Sequence, residues 1–169
     1  DSFLAGVAQK PDLIACDGGS TDPGPYYLGS GIPFTNATAV KRDMTLMLKA
    51  ACQLNIPLVI GTAGGCGADV HVAREVEIIR EIAKEQRLSF KMAVISSEFQ
   101  KEMLIDQLHK GNIEKLGPAP EVTEEDINAS THIVAQMGIE PIIKALDEGA
   151  QVIICGRCYD PAAFAAPAI

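Results

Sequence analysis

The chain has 169 residues, 47% of them hydrophobic and 21% charged, so it is long and apolar enough to fold around a substantial core. Its 14 basic and 22 acidic residues give a net charge of −8. This charge argues against a nucleic-acid interface or an anionic membrane surface, because both require basic side chains. No apolar stretch approaches the roughly 20 residues that span a bilayer.

Five cysteines form an odd and scattered set. Such a set predicts free thiols in the reducing cytoplasm rather than the disulfide framework of a secreted protein. The chain begins without Met and stops in an apolar stretch at residues 162–169. We therefore expect residues 1–169 to be a single α/β domain that is a fragment of a longer chain.

Short apolar runs alternate with longer helical patterns along the chain. Runs without polar alternation predict parallel strands buried on both faces, and they occupy residues 13–16, 57–61, 90–95, 132–136 and 151–156. Helical periodicity marks residues 2–9, 38–54, 69–86, 99–110 and 139–147, and a further short helix is expected from residue 123. This order predicts a three-layer, Rossmann-like α/β fold, with a mostly parallel five-stranded sheet and helices on both faces.

Small and polar residues follow each predicted strand, whereas the strands themselves are apolar. Ligands of open parallel sheets bind beyond the carboxyl ends of the strands, so this asymmetry predicts a site there. The candidates for proton transfer are Asp17, Asp22 and His71. The candidates for substrate binding are Ser20, Thr21, Tyr27, Gly64, Gly65, Gly67, Asp69, Glu98, Arg157 and Asp160.

The glycine-rich segment at residues 61–67 follows a predicted strand and opens a predicted helix. Its glycines allow the backbone to approach a ligand and direct N–H groups at an anion. The alternative is a tight strand-to-helix turn with Asp69 as the N-cap. Neither the dinucleotide-binding spacing nor a Walker A sequence is present.

The segment from Asp17 to Asp22 resembles the phosphate-binding hairpin of the actin and sugar-kinase fold, and it carries two carboxylates suited to metal or proton-transfer chemistry. The alternative is a turn in which Asp17 caps backbone N–H groups. His71 is either a general base or a packed, hydrogen-bonded histidine. His109 and His132 are expected to lie far from the site.

Arg157 is suited to pairing with a substrate carboxylate or phosphate, and the alternative is a salt bridge to Asp160. Tyr26 and Tyr27 lie in a long loop, one of them is expected to cover the site, and Tyr27 is the binding candidate. Cys155 and Cys158 form a Cys-x-x-Cys pair that, with Cys16 or Cys66, would suit redox or metal chemistry. The alternative is buried core cysteines, and no metal ligand or cofactor is assigned.

Several sequence blocks resemble the acyclic terpene utilisation AtuA family. They are ACDGGSTDPGPYYLGSG at residues 15–31, KRD at 41–43, PLVIGTAGGCGAD at 57–69, GIEPII at 138–143, and Gly156-Arg157 with Asp160. Members of this family are usually longer and start with a strand and a Gly-rich loop, which implies that this chain is an internal or trimmed piece. The resemblance implies a role in the breakdown of terpenoid and other acyl compounds.

These observations predict a catabolic enzyme that acts on a small carboxylate or acyl thioester by lyase or hydratase chemistry. The expected partner is a small anionic molecule, with a homo-oligomer or the rest of a longer chain as a further partner. One alternative is a non-catalytic binding or assembly subunit of an acyl or terpenoid degradation system. Another is a nucleotide-dependent transferase.

Overall fold

The computed structural model describes residues 2–21 and 23–169. Four strands lie between helices in these residues. In chain order the elements are α1 (Ser2–Val7), β1 (Ile14–Asp17), α2 (Tyr26–Ser30), α3 (Ala37–Leu54), β2 (Leu58–Gly61), α4 (Asp69–Gln86), β3 (Met92–Ile95), α5 (Lys101–His109), α6 (Glu124–Ala129), α7 (Glu140–Asp147), β4 (Val152–Cys155) and α8 (Ala162–Ala165). Short 3₁₀ turns occupy Ala63–Gly65 and Ala166–Ala168.

The four strands form one parallel sheet in the order β1-β2-β4-β3. The register pairs Asp17 with Gly61 and Ile95 with Cys155. The last residues of all four strands therefore meet at one edge of the sheet, which we call the carboxyl edge. This edge is where a parallel sheet offers a binding site.

Buried apolar side chains pack against both faces of the sheet. Leu58 and Ile60 of β2 join one cluster with α3 and α4, and Val59 joins a second cluster with α7 and α8. The direction of the crossovers explains this division. The connections from β1 to β2 and from β2 to β3 run one way across the sheet, and the return to β4 runs the other way. Right-handed crossovers place helices on opposite faces when the direction reverses.

The long helices begin and end as their sequences favour. Asn36 caps α3, and its side-chain oxygen accepts from the backbone N–H groups of Thr38 and Ala39. Asn55 ends the same helix in the left-handed conformation that Asn tolerates. Thr123 and Asp126 form a capping box at the start of α6, which confirms the short helix predicted there.

The α/β fold with a parallel sheet is confirmed, but the predicted strand at residues 132–136 is not part of the sheet. This segment forms one isolated bridge in the described structure, which is antiparallel and joins Val134 to Glu98. Ala135 N–H donates to the Ser97 carbonyl, and Phe99 N–H donates to the Ile133 carbonyl. The segment therefore pairs with the loop after β3, so the described sheet has four strands rather than the expected five.

No helix in the described part of the chain combines the length and the apolar character required to cross a bilayer. The helices α2 and α8 were not predicted. Both are short, at five and four residues, and helices of this length give too few turns for a periodic apolar pattern to be recognised.

Candidate functional site

The turn after β1 is held by one side-chain and one backbone hydrogen bond at the carboxyl edge. Asp17 Oδ1 accepts from Gly19 N–H at 2.9 Å, and Gly18 N–H donates to the Gly61 carbonyl at 2.7 Å. The chain then continues into α2 rather than into the second strand of a phosphate hairpin. Asp17 thus caps the turn, and its role in proton transfer stays a prediction. The predicted partner carboxylate, Asp22, lies outside the described residues.

Thr62 links the loops that follow β2 and β4, a role that the sequence did not indicate. It is fully buried, and its backbone lies in the left-handed region, with φ 46° and ψ 58°. A β-branched residue is strained in this conformation. The Thr62 hydroxyl donates to the Cys158 carbonyl and accepts from Cys158 N–H, both at 3.2 Å. These two bonds hold Thr62 in place and fix the loop that carries Arg157.

The glycine-rich segment at residues 61–67 forms a turn, which we call the glycine turn. Its backbone N–H groups donate to acceptors within the protein. Gly64 N–H donates to Glu75 Oε2 at 2.8 Å, Gly65 N–H to the Thr62 carbonyl at 3.2 Å, and Gly67 N–H to the Ala63 carbonyl at 3.0 Å. These contacts favour the tight turn over a cradle of outward-facing amides. The roles of Gly64, Gly65 and Gly67 in binding substrate stay predictions.

Only glycine fits at position 67 without strain, for two reasons. Its φ is +74°, and a Cβ there would lie 2.2 Å from the backbone nitrogen of Arg157. The Gly67 carbonyl in turn accepts from Arg157 N–H at 3.2 Å. Gly67 therefore sets the distance between the turn after β2 and the loop after β4.

His71 lies beneath the glycine turn and is only 1% exposed. Its Nε2 is 3.2 Å from the Ile32 carbonyl, and its Nδ1 has no hydrogen-bond partner among the described residues. Glu75 lies one helical turn further along α4, and burial raises its pKa although the Gly64 N–H bond opposes this effect. This burial matches the packed-histidine alternative, and proton transfer by His71 stays a prediction.

An open cleft of about 420 Å³ lies at the carboxyl edge, and we call it the Arg157 cleft. It brings together three predicted binding residues, Ser20, Thr21 and Arg157. The residues that line it are Ser20, Thr21, Gly24, Pro25, Leu28, Cys66, Val134, Gln136 and Arg157. Gln136, at the end of the apolar run at residues 132–136, also lines the cleft, although it was not among the candidate site residues.

The guanidinium of Arg157 forms no salt bridge with any carboxylate in residues 2–21 and 23–169. The alternative of a salt bridge to Asp160 is therefore wrong. The backbone of Arg157 is fixed, since its N–H donates to Ser97 Oγ at 2.5 Å. Arg157 thus lines the cleft from a fixed backbone position, and its guanidinium has no described ion-pair partner, which favours an anionic ligand.

A set of hydrogen-bonded polar side chains, separate from those of the Arg157 cleft, lies beside the start of α4. Glu98 Oε2 accepts from Asp69 N–H at 2.7 Å, and Ser96 Oγ donates to Asp69 Oδ1 at 2.5 Å. Ala68 rather than Asp69 is the N-cap of α4. The other Glu98 oxygen, Oε1, lies 2.6 Å from Nδ1 of His132. The expectation that His132 lies far from the site residues is therefore wrong.

Tyr27 and Asp160 lie outside the described lining of the Arg157 cleft. The Tyr27 ring packs edge-on against Phe34, with centroids 5.3 Å apart. Phe34 N–H donates to the Gly64 carbonyl, so the aromatic pair packs over the glycine turn. Asp160 is exposed just before α8. The substrate-binding roles of both residues stay predictions.

All five cysteines are free thiols. Burial and the neighbouring Cys158 raise the pKa of Cys155 to about 12, and burial raises the pKa of Cys66 although Arg157 opposes this effect. Within the described residues, no three His, Cys, Asp or Glu side chains are grouped to hold a metal ion. Cys155 and Cys158 are both buried, as in the core-cysteine alternative.

Comparison with known proteins identifies the family. No curated protein and no solved structure matches the chain significantly. The family model described as "Acyclic terpene utilisation family protein AtuA" matches residues 36–169, which is well over half of the chain. The matched segment contains the glycine turn and Arg157 but not the block at residues 15–31. The chain therefore belongs to the AtuA family of acyclic terpene utilisation proteins.

Proposed function

We propose that this protein is a catabolic enzyme that binds a small carboxylate or an acyl thioester in the Arg157 cleft and acts on it by lyase or hydratase chemistry. Membership of a family described by acyclic terpene utilisation fits a catabolic role. The observation that carries the proposal is the position of Arg157. Arg157 lines a cleft at the carboxyl edge, and its guanidinium has no ion-pair partner among the described residues.

The surroundings of Arg157 support an anionic ligand. A guanidinium offers two parallel N–H donors that match the oxygens of a carboxylate or a phosphate. The Ser20, Thr21 and Gln136 residues lining the same cleft carry polar side chains. The net charge of −8 does not oppose this ligand, because Arg157 is the one charged residue among the described residues that line the cleft.

A neighbouring cleft supports an apolar portion of the substrate. This cleft of about 480 Å³, which we call the His132 cleft, shares Leu28 and Val134 with the Arg157 cleft. Most of its other lining residues are apolar, namely Leu104, Ile113, Val122, Ile127 and Ile133, with Asp126, Ser130 and His132 as the polar members. A ligand with an anionic end and a hydrocarbon end matches this pair of clefts.

Arg157 variants test the proposal. Binding of succinate and butyryl-CoA is measured by calorimetry, and hydration of a short α,β-unsaturated acyl-CoA by loss of its absorbance. Arg157→Gln should weaken binding by about 10- to 100-fold, the value of one or two charge-assisted hydrogen bonds. Arg80→Gln, on an exposed position of α4, is the matched control and should bind as the unmodified protein does. Equal binding by Arg157→Gln, or no binding of either probe, contradicts the proposal.

A non-catalytic subunit is the second candidate, and exposed apolar side chains favour it. Tyr159 is 59% exposed and lies three residues before α8, and Phe164 within α8 is 48% exposed. Exposed apolar side chains that form one patch mark interaction surfaces. Native mass spectrometry tests this candidate, because a stable monomer that turns over an acyl thioester without a partner contradicts it. The five free thiols support our placement of the protein in the cytoplasm.

A further inference from the structure

His132 and Glu98 form a close pair that the sequence did not suggest. Nδ1 of His132 lies 2.6 Å from Glu98 Oε1, and the two side chains are 24% and 16% exposed. Both residues lie in loops beyond β3, at the carboxyl edge of the sheet. The pair is therefore sheltered but still reachable from solvent.

The Glu98 carboxylate is held at both of its oxygens. Oε2 accepts from Asp69 N–H at 2.7 Å, at the first residue of α4. This oxygen therefore lies at the amino-terminal end of an 18-residue helix, where the helix dipole is positive. Ser96 Oγ accepts from Glu98 N–H at 3.2 Å and donates to Asp69 Oδ1 at 2.5 Å. These contacts leave Glu98 little freedom to turn away from His132.

The backbone on either side of the pair is also fixed. Phe99 N–H donates to the Ile133 carbonyl at 2.9 Å, and Ala135 N–H donates to the Ser97 carbonyl at 2.8 Å. These bonds attach the segment that carries His132 to the segment that carries Glu98. The 2.6 Å contact thus belongs to a supported arrangement and not to two mobile surface side chains.

This arrangement selects one tautomer of the neutral imidazole. A carboxylate only accepts hydrogen bonds, so the proton lies on Nδ1 and the lone pair lies on Nε2. No hydrogen-bond partner for Nε2 is found in the described part of the chain. His132 lines the His132 cleft, which shares Leu28 and Val134 with the Arg157 cleft. Nε2 lies beside Gly31, where a Cβ would be 3.6 Å away, so a basic nitrogen is left without an internal partner on a residue that lines the neighbouring cleft.

We propose that His132, oriented by Glu98, is the proton-transfer residue of this site, an inference that rests on the proposed function. In a hydration, Nε2 takes a proton from water as the water oxygen forms a bond to the β-carbon of an unsaturated acyl group. The electron pair of the double bond moves to the α-carbon, which then takes the proton from the imidazolium. Glu98 stabilises the imidazolium between the two steps. The net change is the addition of water, with no oxidation or reduction.

Kinetics test His132 directly, with hydration of a short α,β-unsaturated acyl-CoA as the assay. His132→Gln should lower kcat by about 10²- to 10⁴-fold, the usual contribution of a general acid–base residue. Glu98→Gln should lower kcat with little change in KM, because it alters the orientation of the imidazole. The matched control is Glu124→Gln, since Glu124 pairs with the exposed His109 at 3.1 Å on α5, and it should have unchanged kcat. Thermal unfolding confirms that each variant folds.

Two outcomes separate this inference from the proposed function. If the unmodified protein hydrates the probe and folded His132→Gln keeps more than roughly a tenth of its kcat, the role of His132 is refuted and the proposed function stands. If no acyl-CoA is hydrated, the hydratase function fails, and ¹⁵N NMR of the imidazole tests the pair alone. A dominant Nδ1-protonated tautomer that is lost in Glu98→Gln supports the pair, whereas an Nε2-protonated tautomer in the unmodified protein overturns it.

Discussion

Gly67→Ala should destabilise the protein by displacing the loop that carries Arg157. The new Cβ would lie 2.2 Å from the Arg157 nitrogen and 2.7 Å from its Cα, so backbone atoms must move. The φ of +74° adds about 1–2 kcal/mol for a residue other than glycine, and forced overpacking adds about 1–3 kcal/mol. We expect the free energy of unfolding to fall by about 2–5 kcal/mol, measured by urea denaturation.

Gly111→Ala separates the steric part of this loss from the conformational part. Gly111 has a similar φ of +71°, but a Cβ there meets nothing within 4 Å. Its substitution should cost only the conformational term of about 1–2 kcal/mol. Equal destabilisation by the two substitutions, within about 0.5 kcal/mol, the range of ordinary surface changes, would refute the close approach of Gly67 to Arg157.

Two further predictions concern buried polar groups. Thr62→Val should cost about 1–3 kcal/mol, because it removes both hydrogen bonds to Cys158 in a buried position; Thr62→Ser is the control in urea denaturation, and equal losses would contradict the role of the hydroxyl. Glu75→Gln should stabilise the protein near neutral pH, since burial raises the folded-state pKa of Glu75 above its ordinary value of 4.5 and disfavours the charged form. This advantage should be full above the folded-state pKa and should vanish below pH 4.5, and denaturation at several pH values that showed no such trend would contradict the explanation.

The strands and long helices were predictable because their signals are local. The apolar runs at residues 57–61 and 151–156 match β2 and β4, and the periodicity of residues 69–86 matches α4 to the residue. The run at residues 132–136 looked the same but is not a strand of the sheet. Whether an apolar run joins a sheet depends on the partners that tertiary packing offers, and here the partner is the loop after β3.

For the candidate site, the sequence predicted an expected location but not which side chains contact each other. Strand ends with polar residues indicated the carboxyl edge, and Arg157 with Ser20 and Thr21 does line a cleft there. The pairing of His132 with Glu98 joins positions 34 residues apart, and no spacing rule in one sequence connects them. The burial of His71 could not be predicted from the sequence either, because a histidine in the first turn of a helix can face the solvent or the core.

The sequence by itself determined the family, the α/β class and the edge of the sheet where chemistry is expected, since these depend on local motifs and on the alternation of strands and helices. The tertiary structure decided which polar side chains meet. It directs the amides of the glycine turn to internal acceptors, leaves Arg157 without a described ion-pair partner and brings His132 to Glu98. The physical reason is that these contacts join distant loops, whose relative positions follow from the packing of the helices on the sheet and from close approaches such as that of Gly67 to Arg157.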